Sequence, residues 1–147
     1  GACAAAGFGK KRLTARCRWH FGGGPEYCAA CSQDCSACPY REHEPLTFEG
    51  WQAWDVALKS ASQMRVVPGA AIGLDLGACL ALANALGYDP AATAELLPVM
   101  ELAIIGALNA RITTVSNGQM TEMASTGKVE SSRRSADFMP EQRTRLP

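Results

Sequence analysis

Four cysteines fall within eleven residues: Cys28, Cys31, Cys35 and Cys38, with Pro39 directly after the last. Each C-x-x-C pair can turn two thiolates toward one soft cation, because two intervening residues are enough to fold the chain back. A chain carrying such a run is expected to build a metal-organised loop there rather than a regular helix or strand. The expected set is a four-thiolate zinc site formed by Cys28, Cys31, Cys35 and Cys38. Only three residues separate the two pairs, fewer than the hairpin of a zinc ribbon normally spans. Two other ligand schemes therefore stay open. Cys17 and His20 form a C-x-x-H pair that could join Cys28 and Cys31, leaving Cys35 and Cys38 as a redox-sensitive pair. An iron–sulfur cluster fits less well, since its common run has gaps of two, two and three residues before a final Cys-Pro.

The chain has seven cysteines, so an all-disulfide scheme leaves one over. No export signal pattern is visible near Gly1: the basic run Lys10-Lys11-Arg12 leads to Arg16 and Arg18, not to an apolar segment. Metal ligation in a reducing compartment is thus the expectation. The longest apolar stretch, 91–110, is interrupted by Pro98 and carries Glu95 and Glu101, which argues against a membrane span.

Net charge is zero, but the charges are segregated. Residues 1–24 hold five basic and no acidic side chains; residues 25–110 hold three basic and ten acidic; residues 111–147 hold six basic and four acidic. An acidic middle argues against nucleic acid contact there, because phosphates are met by Lys and Arg. The basic N-terminal segment reads as a solvated arm.

The expected fold is mainly α: a small bundle of three to four short helices, preceded by the Cys-rich metal loop and flanked by flexible ends. Residues 1–25 read as a flexible basic leader closed by Gly22-Gly23-Gly24-Pro25, and 26–46 as the zinc loop. Residues 47–110 read as the helical domain, and 111–147, poor in large apolar residues, as a disordered tail with at most a transient helix near 119–125. Within the domain, Thr47 is a helix N-cap candidate. Phe48, Trp51, Val56, Leu58, Ala61 and Met64 give an apolar face bordered by Trp54, and Pro68-Gly69 is read as the stop. Asp75 opens the next helix, with Cys79 on its apolar side, and Gly87 closes it. Asp89-Pro90 starts the last region. Pro98 is expected to divide that region into helices 90–96 and 98–110, the longer lined by Val99, Leu102, Ala103, Ile105 and Leu108.

The sequence holds no arrangement of nucleophile, base and acid, no phosphate loop and no nucleophile elbow. A binding role is expected rather than an enzyme.

The segment 49–109 resembles a known family. Trp51 and Trp54, Ser62-Gln63-Met64-Arg65, Pro68-Gly69, Ile72-Gly73-Leu74-Asp75, Ala85-Leu86-Gly87, and Leu97, Met100 and Glu101 carry the likeness, together with Cys35 to Pro39 upstream. These motifs are similar to the T-like, downstream-frame part of tail assembly chaperones of long-tailed phages and prophages. The resemblance implies a protein of the bacterial host cytoplasm, made by frameshifting onto an upstream product, that keeps the tape measure protein soluble and recruits tail tube subunits. A segment read in a shifted frame need not begin with Met, in keeping with Gly1. The doubled C-x-x-C and the basic 24-residue leader depart from the family pattern. Trp51, Trp54 and Met64 are the candidate partner-binding residues. The competing expectation is a zinc-stabilised binding module whose basic arm touches nucleic acid or another protein.

Overall fold

The computed structural model describes residues 2–32 and 38–133, with side chains over 9–32 and 38–117. The described chain is mainly helical with one small sheet. Helices α1 (Ala2–Phe21), α2 (Gly24–Ala30), α3 (Pro39–Glu42) and α4 (Phe48–Lys59) are followed by a 3-10 turn, Ala61–Gln63. Strands β1 (Met64–Val67) and β2 (Ala70–Leu74) then form an antiparallel hairpin, and helices α5 (Leu76–Ala85) and α6 (Pro90–Arg133) complete the described part. The chain divides into two compact units, Gly1–Thr113 and Thr114–Pro147. The first holds the core and everything analysed below. The second contains the final turns of α6.

Helix boundaries follow local chemistry. Thr47 Oγ1 accepts from the Gly50 amide at 3.1 Å, Asp75 Oδ1 from Ala78 at 2.9 Å, and Asp89 Oδ1 from Ala91 at 2.8 Å. Each cap satisfies an amide that the first turn leaves without a helical acceptor. At the end of α5, Gly87 takes φ 72°. The Tyr88 amide then reaches Ala83 O at 2.9 Å and the Gly87 amide reaches Asn84 O at 3.0 Å. This paired closure suits glycine, since a Cβ disfavours the left-handed conformation.

Several expectations are corrected. The first 25 residues are not an irregular leader: 2–21 form one helix, and Leu13, Arg16 and Cys17 are buried in the core. The run of alanines favours helix, and the glycines that suggested a break begin only at Gly22. Pro68-Gly69 does not stop a helix. It is the two-residue turn of the hairpin, with Gly69 at φ 82°. Pro followed by a positive-φ Gly is the sequence signature of a type II turn, and Val66-Val67 before it favours strand. Pro98 does not divide α6, which runs unbroken from Pro90 to Arg133. The ring lies on the exposed side, while Leu97 and Met100 on either side of it are buried, so one core holds both halves in line. The same helix covers 111–133, where a disordered tail was expected; 134–147 lie outside the described residues.

The buried faces are also shifted from the expected ones. In α4, Gly50, Ala53, Trp54, Val56 and Ala57 face inward, and Phe48 points out. In α6 the inner stripe is Thr93, Leu97, Met100 and Ile104 with Ala103, and Leu102 is exposed. Small residues at 50, 53 and 57 let helix backbones approach closely, which decides between two stripes of similar period. Cys79 is fully buried, as its position on the apolar side of α5 suggests. The stretch Pro90–Asn117 is long and apolar enough to cross a membrane by length and composition, but its inner stripe forms the core of the first unit.

Candidate binding surface and thiol cluster

Helix α1 meets α3 and α4 through one buried cation. The Arg16 side chain is only 2 % exposed. Its guanidinium carbon lies 3.8 Å from the Tyr40 ring centroid, 4.8 Å from Trp54 and 5.2 Å from Trp51. One terminal nitrogen donates to Tyr40 O at 2.6 Å, and the buried Nε has no partner. Among the described residues no carboxylate pairs with it. The aromatic faces supply the compensating negative potential instead. His20, one turn along α1, packs edge-on against Trp54 with centroids 5.3 Å apart. Burial, and then the neighbouring Arg16 charge, hold the His20 imidazole below its ordinary pKa and so favour the neutral ring.

The three candidate partner-binding residues differ in burial. Trp54, 3 % exposed, is a wall of the Arg16 cage and part of the core. Met64 is half-buried at the start of β1 and packs on the core. Trp51 is 43 % exposed, and its ring centroid lies 5.2 Å from the Arg16 guanidinium carbon.

Sequence reasoning missed the more prominent apolar surface. Leu46 is 65 % and Phe48 73 % exposed, just before and within the first turn of α4. Beside them lies a cleft of about 240 Å³ between α1, the segment preceding α4, α4 itself and α6. Leu13, Pro45, Leu46 and Leu96 supply its apolar lining, and Gly9, Gly50 and Ala92 leave it open by their small size. Lys10 and Glu95, paired at 2.7 Å, border it. Three hydrophobic residues in the six positions 46–51 of a capped helix start were the available signal. Placing Phe48 on the inward apolar face of its helix hid it.

On the opposite side of the core, the hairpin is clasped to α6. Glu101 Oε1 accepts from the Leu74 amide at 2.7 Å. Asn109 accepts from the Ala71 amide at 2.8 Å and donates to Ala71 O at 3.0 Å. Eight residues on a helix span about 12 Å, and three on a strand about 10 Å, so both contacts fit one register. The Asn109 amide occupies both main-chain groups of Ala71, as a neighbouring strand would.

Of the metal-ligating candidates, Cys28 is exposed near the end of α2, Cys31 is its half-buried C-cap, and Cys38 is the half-buried N-cap of α3. Cys28 Sγ and Cys38 Sγ are 4.0 Å apart, so the two ends of the cysteine run converge. Cys35 lies outside the described residues. Among the described residues no three metal-ligating side chains converge on one point. Cys17, the thiol of the other ligand scheme, is fully buried on α1, and desolvation pushes it up to about 12.

No curated protein and no solved structure matches the chain. Residues 66–118, which run from the hairpin through α5 into α6, are similar to a family of unknown function, DUF7697.

Proposed function

We propose that this chain is a phage or prophage tail assembly protein of the chaperone type, working in the bacterial host cytoplasm. It holds an apolar segment of the tape measure or tail tube protein. The observation that carries the reading is that Leu46, Phe48 and Trp51, three large apolar side chains within six positions at the head of α4, are exposed, with Leu46 lining an open apolar cleft. An amphipathic partner helix can lay two or three anchor side chains on such a surface. The family resemblance over 49–109 supplies the kind of partner.

The nucleic acid alternative has less support. Of the five cations in 1–24, Lys10 is paired with Glu95, Arg12 donates to Glu44 O at 2.9 Å, and Arg16 is buried. Phosphate binding needs cations that face solvent.

The test is co-expression with the tape measure and tail tube proteins of a long-tailed phage or prophage. The wild-type chain is expected to co-purify with one of them and raise its soluble yield. Leu46→Asp with Phe48→Asp is expected to abolish the association while leaving the helical signal and melting temperature intact. A double variant that still binds would refute this surface.

A further inference from the structure

We propose that Cys28 and Cys38 are a redox-modification site: a small-molecule disulfide of the glutathione type joins them reversibly, and the new bond ties α2 to α3. The two sulfurs stand 4.0 Å apart although the residues are ten positions apart in sequence. A disulfide bond is about 2.05 Å long, so about 2 Å remains to be closed. A change of rotamer about the Cα–Cβ bonds moves a sulfur that far. Both residues also stand at helix ends, Cys28 in the last turn of α2 and Cys38 as the N-cap of α3.

Exposure assigns the order of attack. Cys28 is exposed and Cys38 half-buried. The Cys28 thiolate attacks one sulfur of glutathione disulfide, whose S–S bond breaks and releases one glutathione. The Cys38 thiolate then attacks the Cys28 sulfur of the mixed disulfide and expels the second glutathione. The protein gives up two electrons and two protons, which end on the two glutathione thiols. Cys17 and Cys79 are fully buried, out of reach of such an oxidant.

The bond falls where the fold has little burial. Helix α2 has seven residues and buries only Gly24; α3 has four and buries none. Helices this short are unstable alone. Yet α3 carries Tyr40, which gives both its ring and its carbonyl to Arg16. A cross-link from α2 restrains α3 against that cation and removes freedom from the unfolded chain, so the oxidised form is the more stable one. In a reducing compartment the pair is a dithiol, and it converts as glutathione disulfide accumulates.

The experiment uses the full chain, reduced, held with a metal chelator and then equilibrated with glutathione disulfide. Expected is a product two hydrogen masses lighter, reversed by dithiothreitol. Cleavage before Asp34 and fragment sequencing are expected to show Cys28 joined to Cys38. The oxidised chain is expected to melt about 5 °C above the reduced one. Cys38→Ser is expected to stop at the mixed disulfide, one glutathione heavier at Cys28. Cys31→Ser combined with Cys35→Ser is expected to keep both the cross-link and the rise in melting temperature. The wild-type map and melting temperatures stand whether or not the variants fold. A bond between any other two cysteines in place of this one, an unchanged mass, or equal melting temperatures for the two forms would each overturn the proposal.

Discussion

Two polar contacts join distant elements of this fold, one buried and one half-buried, and they meet main-chain groups differently. Beside α1, the Arg16 guanidinium is taken out of water with aromatic faces and one carbonyl for company, and its Nε is unmatched. Beside α6, Glu101 and Asn109 meet main-chain groups of β2 one for one, and both side chains stay half-buried. The first contact carries a desolvation cost that packing must offset. The second removes a cost, because the inner edge of a two-stranded hairpin would otherwise leave main-chain groups unsatisfied. A buried cation is thus tolerated where three aromatic rings can enclose it, and small amide-for-amide exchanges suffice where a sheet has only two strands.

The sharpest test of this contrast is truncation of the cation. Arg16→Ala is expected to cost about 3 kcal/mol or more in urea unfolding, since it empties the cage and strands the Tyr40 carbonyl. Arg16→Met, which keeps the volume without the charge, is expected to lose much less and could gain stability. Equal losses in both variants would show that charge, not packing, matters at the cage. At the clasp, Glu101→Ala is expected to cost about 2 kcal/mol by leaving the Leu74 amide unmatched, and Glu101→Gln distinctly less because an acceptor oxygen remains. If Glu101→Gln were as damaging as Glu101→Ala, the neutral hydrogen bond would not be the stabilising element.

Pro98→Ala bears on the frame that carries the clasp. It restores a helical hydrogen bond at an exposed position and is expected to stabilise the fold by about 1 kcal/mol, a fraction of the full cost of an interior proline. A loss of stability would mean that α6 needs a bend there to bring Glu101 to β2. The smallest effect is the pH dependence of the cage. His20 is held below its ordinary value of 6.5 by burial and by Arg16. The unfolded chain therefore takes up its proton first as pH falls. Stability is full above about 6.5 and declines as pH drops through the depressed folded-state value. Arg16→Met is expected to shrink this decline, measured as melting temperature between pH 8 and pH 5. An unchanged slope would place its source outside the cage.

How much of this was legible depended on the range of the interaction. The caps at Thr47, Asp75 and Asp89 and the closure at Gly87 were readable because each acts within five residues. Cys79 was readable as core from its place on an apolar helix side. The hairpin was missed because Pro-Gly ends helices and turns strands alike, and only the pairing of Val66 with Ala71 separates the two. Trp54 was placed at the border of its helix face because α4 offers two apolar stripes of the same period. Which stripe faced inward depended on what α1 presented to it. The cysteine run was the most visible feature of the chain, and its two ends, Cys28 and Cys38, bring their sulfurs to 4.0 Å.

By itself the sequence determined where α4, α5 and α6 begin and where α5 ends, because capping and left-handed closure are local and strong enough to act alone. It also determined that the chain is chiefly helical. Tertiary structure alone decided that Arg16 lies inside, that Phe48 and Leu46 lie outside, and that Glu101 and Asn109 meet β2. Those outcomes depend on the shape and charge of segments up to 38 residues away in sequence, and no local signal encodes what a distant surface will offer.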